Sequence, residues 1–235
     1  KHAAVALELG EPQPIAWAFP PHQDASLRVA ADAYLMDIEE NGRLQRLRAR
    51  YFGHSDRLNF VDTREFWRGV RDRLPQYRAL FEEAAEATGI DWRLLAAIGY
   101  QESHWQADAV SPTGVRGIMM LTQTTAKQMK ISNRNDPAQS IIGGARYLRV
   151  VEKKIPDRIP EPNRLWLTLA GYNVGFGHLE DARVLTERDG GDPDLWMDVK
   201  QRLPLLAKKK YHSTVRHGFA RGREPVDYVD NIRNY

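Results

Sequence analysis

Residues 70–235 carry repeated helix start and stop signals and almost no polar–apolar alternation, which restricts this part of the chain to a mainly α fold. Pro75 begins one helix and Gly89 follows its end. Asp91 is placed to cap a helix over 92–103. Five further helices are predicted on similar grounds, together with a C-terminal one. They cover 122–129, 137–153, 164–173, 178–188, 193–207 and 226 onward.

The first 55 residues have a different pattern. An apolar run over 15–19 is followed by two prolines, which is typical of a short strand. Apolar residues then recur at helical spacing up to Ile38, and Asn41–Gly42 ends this helix. A second helix is predicted over 44–51. A strand and two helices form an α/β fragment that cannot close a core alone.

Three segments are therefore predicted. Residues 1–55 form the α/β fragment, residues 56–69 form a linker, and residues 70–235 form a helical domain. The N-terminus lacks the long apolar core of a secretory signal. We therefore expect the mature part, or a fragment, of a longer protein.

Composition excludes several classes of function. Cysteine is absent, which excludes disulfides and thiol catalysis. The seven histidines have no metal-ligand spacing and no phosphate-binding glycine loop occurs, so we expect no metal and no cofactor. Basic residues concentrate near the C-terminus, where they form either a solvated face or a surface for an anionic polymer or membrane. They lack the interleaved aromatics of nucleic-acid binders, so we expect no nucleic-acid partner.

Glu102 is the main candidate for a chemically active side chain. It shares a helix face with Leu95 and Ile98 and therefore continues an apolar stripe. It also lies in the last helical turn, where the macrodipole disfavours a carboxylate. Both effects are expected to raise its pKa, and a protonated carboxyl can donate to a glycosidic oxygen. The alternative is an ordinary helix-end glutamate that is solvated or ion-paired.

Several nearby residues could serve a ligand. Ser103 could hold the carboxyl or an acetamido carbonyl, or simply end the helix. Gly114 and Gly117 permit positive φ and a close backbone approach, as in a ligand loop or a small hairpin. Tyr172 could stack on a sugar face or hydrogen-bond to Glu102, and Asn173 could bond an acetamido group, although such a pair is more often a core tyrosine and a helix cap.

A second carboxyl group is the usual requirement of a glycosidase. None occurs from Ala109 to Met120, although Asp181 or Asp227 could still fold into the site. With one acid only, water would be poorly activated. A nucleophile from the substrate would then have to complete the reaction.

Five ordered segments over about 70–235 resemble the lytic murein transglycosylases of the soluble-transglycosylase type. They are 102–103, 109–112, 114–120, 125–126 and 171–175. The resemblance implies a lysozyme-like fold and a peptidoglycan substrate. It also implies that Glu102 acts as general acid and then base at the MurNAc–GlcNAc β-1,4 bond, while the C6 hydroxyl closes a 1,6-anhydro ring.

The resemblance also implies a set of substrate-binding residues. With Gly117, the candidates are Ser103, Ser111, Met119, Met120, Tyr172, Asn173 and Tyr228. Tyr228 closes the floor of the site or simply packs. Met120 stands where many relatives have glutamine, so its side chain brings no polar contact.

The N-terminal segment resembles the C-terminal end of periplasmic solute-binding domains, in the runs 17–20, 41–44 and 50–53. Together the two resemblances are closest to a membrane-bound member of the transglycosylase family. They imply a periplasmic protein at the outer membrane, with its lipid anchor outside this chain and an upstream regulatory domain. Its partners would be glycan strands and muropeptides.

Two alternative functions remain open from the sequence. One is a goose-type lysozyme-like hydrolase, in which a second acid lies ~6.5–9.5 Å from Glu102. The other is a peptidoglycan-binding module without catalysis.

Overall fold

The computed structural model of the chain describes residues 17–19, 24–51 and 60–235. It divides the chain into two compact units, 1–56 and 57–235. In the first unit, helix α1 covers Ser26–Glu40 and helix α2 covers Arg43–Tyr51. Both confirm the predicted helices to within two residues. Two of the five residues of the predicted strand, 15 and 16, lie outside the described residues, and the other three, 17–19, are not in a strand, so the strand prediction is wrong there.

Helix α1 leaves much of its apolar surface exposed. Ile38 is its one buried residue. Leu27, Val29 and Met36 are each at least 60% exposed. This exposure agrees with the expectation that residues 1–55 cannot close a core alone. The resemblance of this segment to a solute-binding domain remains a prediction.

The second unit is mainly α, as predicted. Its helices are α3 (Phe60–Asp72), α4 (Leu74–Thr88), α5 (Trp92–Ser103), α6 (Gln123–Gln128), α7 (Pro137–Glu152), α8 (Asn163–Val174), α9 (Phe176–Arg188), α10 (Trp196–Arg202), α11 (Lys209–His212) and α12 (Glu224–Asn234). A 3₁₀ turn over Leu203–Ala207 follows α10. The predicted helix over 193–207 changes geometry here because Pro204 has no N–H for an α-helical bond.

Predicted capping residues account for several of these boundaries. The Asp91 carboxylate accepts the Arg93 N–H at 2.8 Å and begins α5. Asp136 accepts the Gln139 N–H at 2.8 Å and begins α7. Gly89 ends α4 with a φ of 69°. Side-chain acceptors thus satisfy N–H groups that the first helical turn leaves unpaired.

Helix α3 is the main difference from the sequence expectation. It begins at Phe60, so most of the interval predicted as a linker, 56–69, is helical. Phe66 lies against the rings of Tyr100 and Tyr235, at centroid distances of 5.0 and 4.9 Å. Helix α3 is therefore part of the second unit.

Helix α5 lies centrally in this unit, against α4, α7 and α12. The loop that follows it folds into a small hairpin-like turn through isolated bridges from Arg116 to Val110 and Leu121. This hairpin-like turn is the one predicted from Gly114 and Gly117. The end of α5 and the loop together present the candidate site.

Candidate active site

Glu102 lies in the last turn of α5, on the face predicted from its spacing. Leu95 and Ile98 on that face are fully buried. Glu102 itself is partly buried. The apolar stripe therefore runs from the core of the unit to the carboxyl group.

Tyr228 of α12 donates a hydrogen bond to Glu102 Oε1 at 2.7 Å. Burial raises the pKa of the Glu102 carboxyl to about 7, and the hydrogen bond from Tyr228 lowers it in part. The predicted direction of the shift is confirmed, with desolvation as its cause. A carboxyl with this pKa exists in both protonation states near neutral pH, which is what a group acting first as acid and then as base requires.

Three tyrosines pack in a row that begins at the acid, in the order Tyr228, Tyr172 and Tyr147. The rings of Tyr172 and Tyr228 are 6.4 Å apart and nearly parallel, and Tyr147 lies 5.4 Å from Tyr172. Burial, followed by the charge of Glu102, raises the pKa of both Tyr172 and Tyr228 well above the usual value. Both phenols therefore stay neutral and keep a proton to donate. The wall of the site is rigid, aromatic and polar only at its hydroxyl groups.

Tyr172 holds the loop rather than the acid. Its hydroxyl donates to the Met119 carbonyl at 3.4 Å, and its side chain is 9% exposed. The predicted hydrogen bond from Tyr172 to Glu102 is replaced by the one from Tyr228. Sequence reasoning had no means to choose between the two tyrosines.

Ser103 joins the end of α5 to the same loop. Its hydroxyl lies 2.9 Å from the Ile118 carbonyl and 3.2 Å from the Gly99 carbonyl, and it accepts the Gln106 N–H at 3.3 Å. These are main-chain partners, and no hydrogen bond joins Ser103 to Glu102 in the described structure. Ser103 therefore fixes the loop beside the acid.

Gly117 has the positive φ predicted for it, +82°. A Cβ at this position would lie 1.8 Å from the Arg134 carbonyl oxygen, so no other residue fits without moving the main chain. The close backbone approach is therefore made to Arg134. Arg134 Nη1 also donates to the carbonyls of Gly114 and Leu121, each at 2.9 Å. No local sequence pattern predicts these hydrogen bonds of Arg134.

The two methionines of the loop have different surroundings. Met119 is 1% exposed and its side chain packs against Gly144 of α7. Its main chain faces the site region, where its carbonyl accepts from Tyr172, while its N–H donates to Ser140 at 3.1 Å. Met120 is partly exposed and holds a φ of 44°, unusual for a residue with a side chain. Met119 therefore contributes its main-chain carbonyl to the site, whereas Met120 has a partly exposed side chain that is available to a ligand.

The remaining candidates, Ser111 and Asn173, make no hydrogen bond to Glu102 among the described residues. Ser111 accepts the N–H groups of Thr113 and Val115, each at 3.2 Å, and so shapes the tip of the loop. Asn173 is exposed, and its side chain makes no hydrogen bond to the described residues. Its amide is therefore available to a ligand.

Neither distant acid named from the sequence acts as a partner of Glu102. The buried Asp181 accepts the N–H groups of Arg216, His217 and Gly218 at 2.8–3.1 Å. Asp227 pairs with Arg223 at 3.1 Å. Within the described ranges, no second carboxylate contributes to the pKa of Glu102. The described residues also contain no group of three or more side chains able to hold a metal ion.

The second unit matches a known family. Residues 79–193 match the family described as "Transglycosylase SLT domain". This range contains the acid, the loop and Tyr172, whereas Tyr228 lies beyond it. No helix in the parts of the chain described above is long and apolar enough to cross a membrane.

Nearly the whole chain is similar to curated proteins that carry the name membrane-bound lytic murein transglycosylase F. The relative from Marinobacter nauticus is 58% identical over 98% of the chain and 46% of its own length. The relative from Hahella chejuensis is 54% identical over 99% of the chain and 46% of its own length. The relative from Alcanivorax borkumensis is 56% identical over 94% of the chain and 48% of its own length. The chain spans about half the length of these relatives.

Proposed function

We propose that this chain, whose residues 79–193 match the transglycosylase SLT family, is the catalytic part of a peptidoglycan lytic transglycosylase. The observation that carries the proposal is Glu102, a single desolvated carboxyl with a pKa of about 7 and one hydrogen bond, from Tyr228. The names of the relatives support peptidoglycan as the substrate.

In the first step, the protonated Glu102 donates its proton to GlcNAc O4, the glycosidic oxygen that joins MurNAc C1 to GlcNAc C4. The C1–O4 bond breaks, and the GlcNAc leaves with the bonding electrons and the new proton as a free 4-hydroxyl. The MurNAc acetamido oxygen stabilises the positive charge that develops at C1. Glu102 is left as a carboxylate, which the Tyr228 hydroxyl stabilises by its hydrogen bond.

In the second step, the MurNAc C6 hydroxyl attacks C1, and its proton passes to the Glu102 carboxylate. A 1,6-anhydro ring closes, the acetamido group is released, and Glu102 regains its starting state. No water is consumed. The absence of a second carboxylate among the groups that affect Glu102 supports this route, because a water nucleophile ordinarily needs a second acid.

The neighbouring residues have positioning and binding roles in this proposal. Tyr228 orients the acid, and Ser103, Gly117, Met119 and Tyr172 hold the loop against α5. The exposed amide of Asn173 is available to bond an acetamido group, and Met120 and Ser111 border the glycan.

The setting of the whole protein is also proposed. The relatives are named as membrane-bound and are about twice as long as this chain. These facts support periplasmic action at a membrane through an anchor outside this chain, with a regulatory domain whose end is residues 1–55. Residues 70–235 would then form the lysozyme-like catalytic domain.

The deciding experiment is mass spectrometry of the products from purified peptidoglycan digested in heavy-oxygen water. Transglycosylation predicts muropeptides with 1,6-anhydroMurNAc ends, one water lighter than reducing muropeptides and free of the label. Labelled reducing ends would identify a hydrolase. Binding without products would identify a non-catalytic module. Glu102→Gln is the matched control and should yield neither product.

A further inference from the structure

A stretch of 25 residues before α12, from Val199 to Arg223, contains no acidic side chain and eight lysines and arginines. Three of these cations pair with carboxylates that lie outside the stretch, at 3.1–3.5 Å. Others are exposed and make no ion pair with the described residues. They are Lys208, Lys209, Lys210 and Arg216. The stretch therefore carries positive charge that the neighbouring side chains do not neutralise.

The chain folds back on itself so that this charge surrounds one aromatic ring. The Ala220 N–H donates to the Leu206 carbonyl at 3.3 Å. The Phe219 ring meets the His212 ring edge-on, with 5.8 Å between their centroids. The lysines at 208–210 lie between these two contacts along the chain. Lys209 is three residues before His212 in the single turn of α11, so the two side chains lie on the same side.

A buried carboxylate fixes the other half of this surface. Asp181 is 3% exposed and accepts the three N–H groups of residues 216–218, at 2.8–3.1 Å. Arg188 also donates to the Thr214 carbonyl, at 2.9 Å. The loop before Phe219 is therefore held in place by the fold itself. A partner that binds there has little of the loop left to order, which favours binding.

Phe219 distinguishes this surface from an ordinary solvated basic face. Its side chain is 57% exposed, so a large apolar ring lies in water among the lysines. Protein surfaces that bind anionic bilayers combine the same two features. Their cations meet the headgroup phosphates, and an apolar side chain enters the boundary between headgroups and acyl chains. A soluble polyanion would neutralise the cations but leave the ring in water.

We propose that the surface formed by Lys208, Lys209, Lys210, Arg216 and Phe219 binds an anionic lipid bilayer. The cations contact the headgroup phosphates and the Phe219 ring enters the interface. This surface would attach the second unit to a membrane directly, in addition to any anchor outside the chain. The proposal does not depend on the proposed reaction, because its residues are not among those proposed to act on the glycan.

The test is co-sedimentation of the whole chain with vesicles of phosphatidylcholine, with and without a fraction of phosphatidylglycerol. At low salt the chain is expected to bind the anionic vesicles at least roughly tenfold more strongly than the neutral ones, since each cation near an anionic surface contributes about fivefold. High salt should remove most of this difference because it screens exposed charges. Equal binding to both vesicles, or no binding to either, would overturn the proposal.

Lysine variants test whether these cations make the contact. Replacing Lys208, Lys209 and Lys210 together by glutamine should weaken binding to anionic vesicles at least roughly tenfold. The matched control replaces three exposed lysines on other elements, Lys127, Lys130 and Lys153, by glutamine. It removes the same net charge and should weaken binding less than about threefold. Equal losses in the two triple variants would show that net charge acts and this surface does not.

Phe219→Ala tests whether the ring enters the bilayer. It should weaken binding to anionic vesicles at least roughly threefold, because a buried apolar ring is returned to water. Val184→Ala is the control, since it shortens a 38% exposed apolar side chain on α9 and should leave binding unchanged. Undiminished binding by Phe219→Ala would refute insertion.

Isolated cell-wall sacculi distinguish the other polyanion that this surface could meet. Binding to sacculi that the lysine triple variant loses, without binding to vesicles, would contradict the bilayer and identify a cell-wall polymer as the partner. The substituted side chains are exposed, so thermal melting should be the same for all variants. If a variant does not fold, the comparison of anionic and neutral vesicles with the unmodified chain still decides.

Discussion

Two carboxyl groups on different helices are withdrawn from solvent in different ways. Asp181 of α9 is 3% exposed and accepts three main-chain N–H groups from the loop 216–218. Glu102 of α5 accepts one hydrogen bond, from a phenol, and burial raises its pKa to about 7. The number of donors separates the two roles. A carboxylate with several donors anchors a loop, and a desolvated carboxyl with one donor can exchange its proton.

The largest expected effect is on the activity of Glu102→Gln. Glutamine keeps the size of the side chain and cannot supply a proton at this position. We expect lytic activity to fall about a thousandfold, since general acid–base catalysis contributes roughly 10²–10⁴. Turbidity loss of a peptidoglycan suspension measures it. Retention of most of the activity would remove Glu102 from the mechanism.

The matching change at the other carboxyl is Asp181→Ala, which should act on stability. It leaves three main-chain N–H groups without their acceptor, at ~1–3 kcal/mol for each one that stays buried. We expect the free energy of unfolding to fall by about 3 kcal/mol in urea titrations. Asp198→Ala is the control, because that carboxylate accepts one exposed N–H, from Asp192, and should change stability by about 1 kcal/mol or less. Equal losses in the two variants would contradict the anchoring role.

The dependence of stability on pH tests the desolvation of Glu102. The folded-state pKa of Glu102 is raised from 4.5 to about 7, so its contribution is fully present below pH 4.5 and is lost as pH rises through 7. Glu102→Gln has no titrating group at this position, so its stability should not fall in this way. From pH 4 to pH 8 the unmodified chain should lose about 3 kcal/mol more stability than the variant. Parallel stability curves would show that Glu102 is not desolvated.

The smallest expected effect concerns Tyr228. Its hydrogen bond lowers the pKa of Glu102, so Tyr228→Phe should raise that pKa further. The acid would stay protonated to higher pH, and the alkaline limb of the kcat/KM profile should move upward. Tyr172→Phe is the control, since its hydroxyl donates to Met119 and not to Glu102. The same shift in both variants would deny Tyr228 its specific role.

Local sequence signals predicted most of the helices because their cause is local. The Asp91 and Asp136 caps, the proline at the start of α4 and Gly89 at its end set boundaries through contacts of a few residues. Helix α3 was missed because charged residues surround a short apolar stripe, Phe66 and Val70, and because Trp67 remains 48% exposed. Its helical state depends on packing against Tyr100 and Tyr235, residues distant in sequence.

The candidate site was predictable in part for the same reason. The spacing of Leu95, Ile98 and Glu102 predicted a desolvated acid, because helical periodicity is a local property. The hydrogen bond from Tyr228 joins residues 126 positions apart, and no local pattern reports such a contact. Two other features also depend on how α7 and its preceding loop pack against the 114–121 turn. They are the burial of Met119 against Gly144 and the hydrogen bonds from Arg134 to that turn.

The most direct test of the central claim is the pKa of Glu102 itself, measured by NMR titration with carbon-13 at the glutamate side-chain carboxyls. The account predicts one carboxyl signal that titrates near pH 7 and is missing in Glu102→Gln. If every glutamate titrates near the ordinary 4.5, Glu102 is ionised at neutral pH, and the single-acid mechanism loses its proton donor.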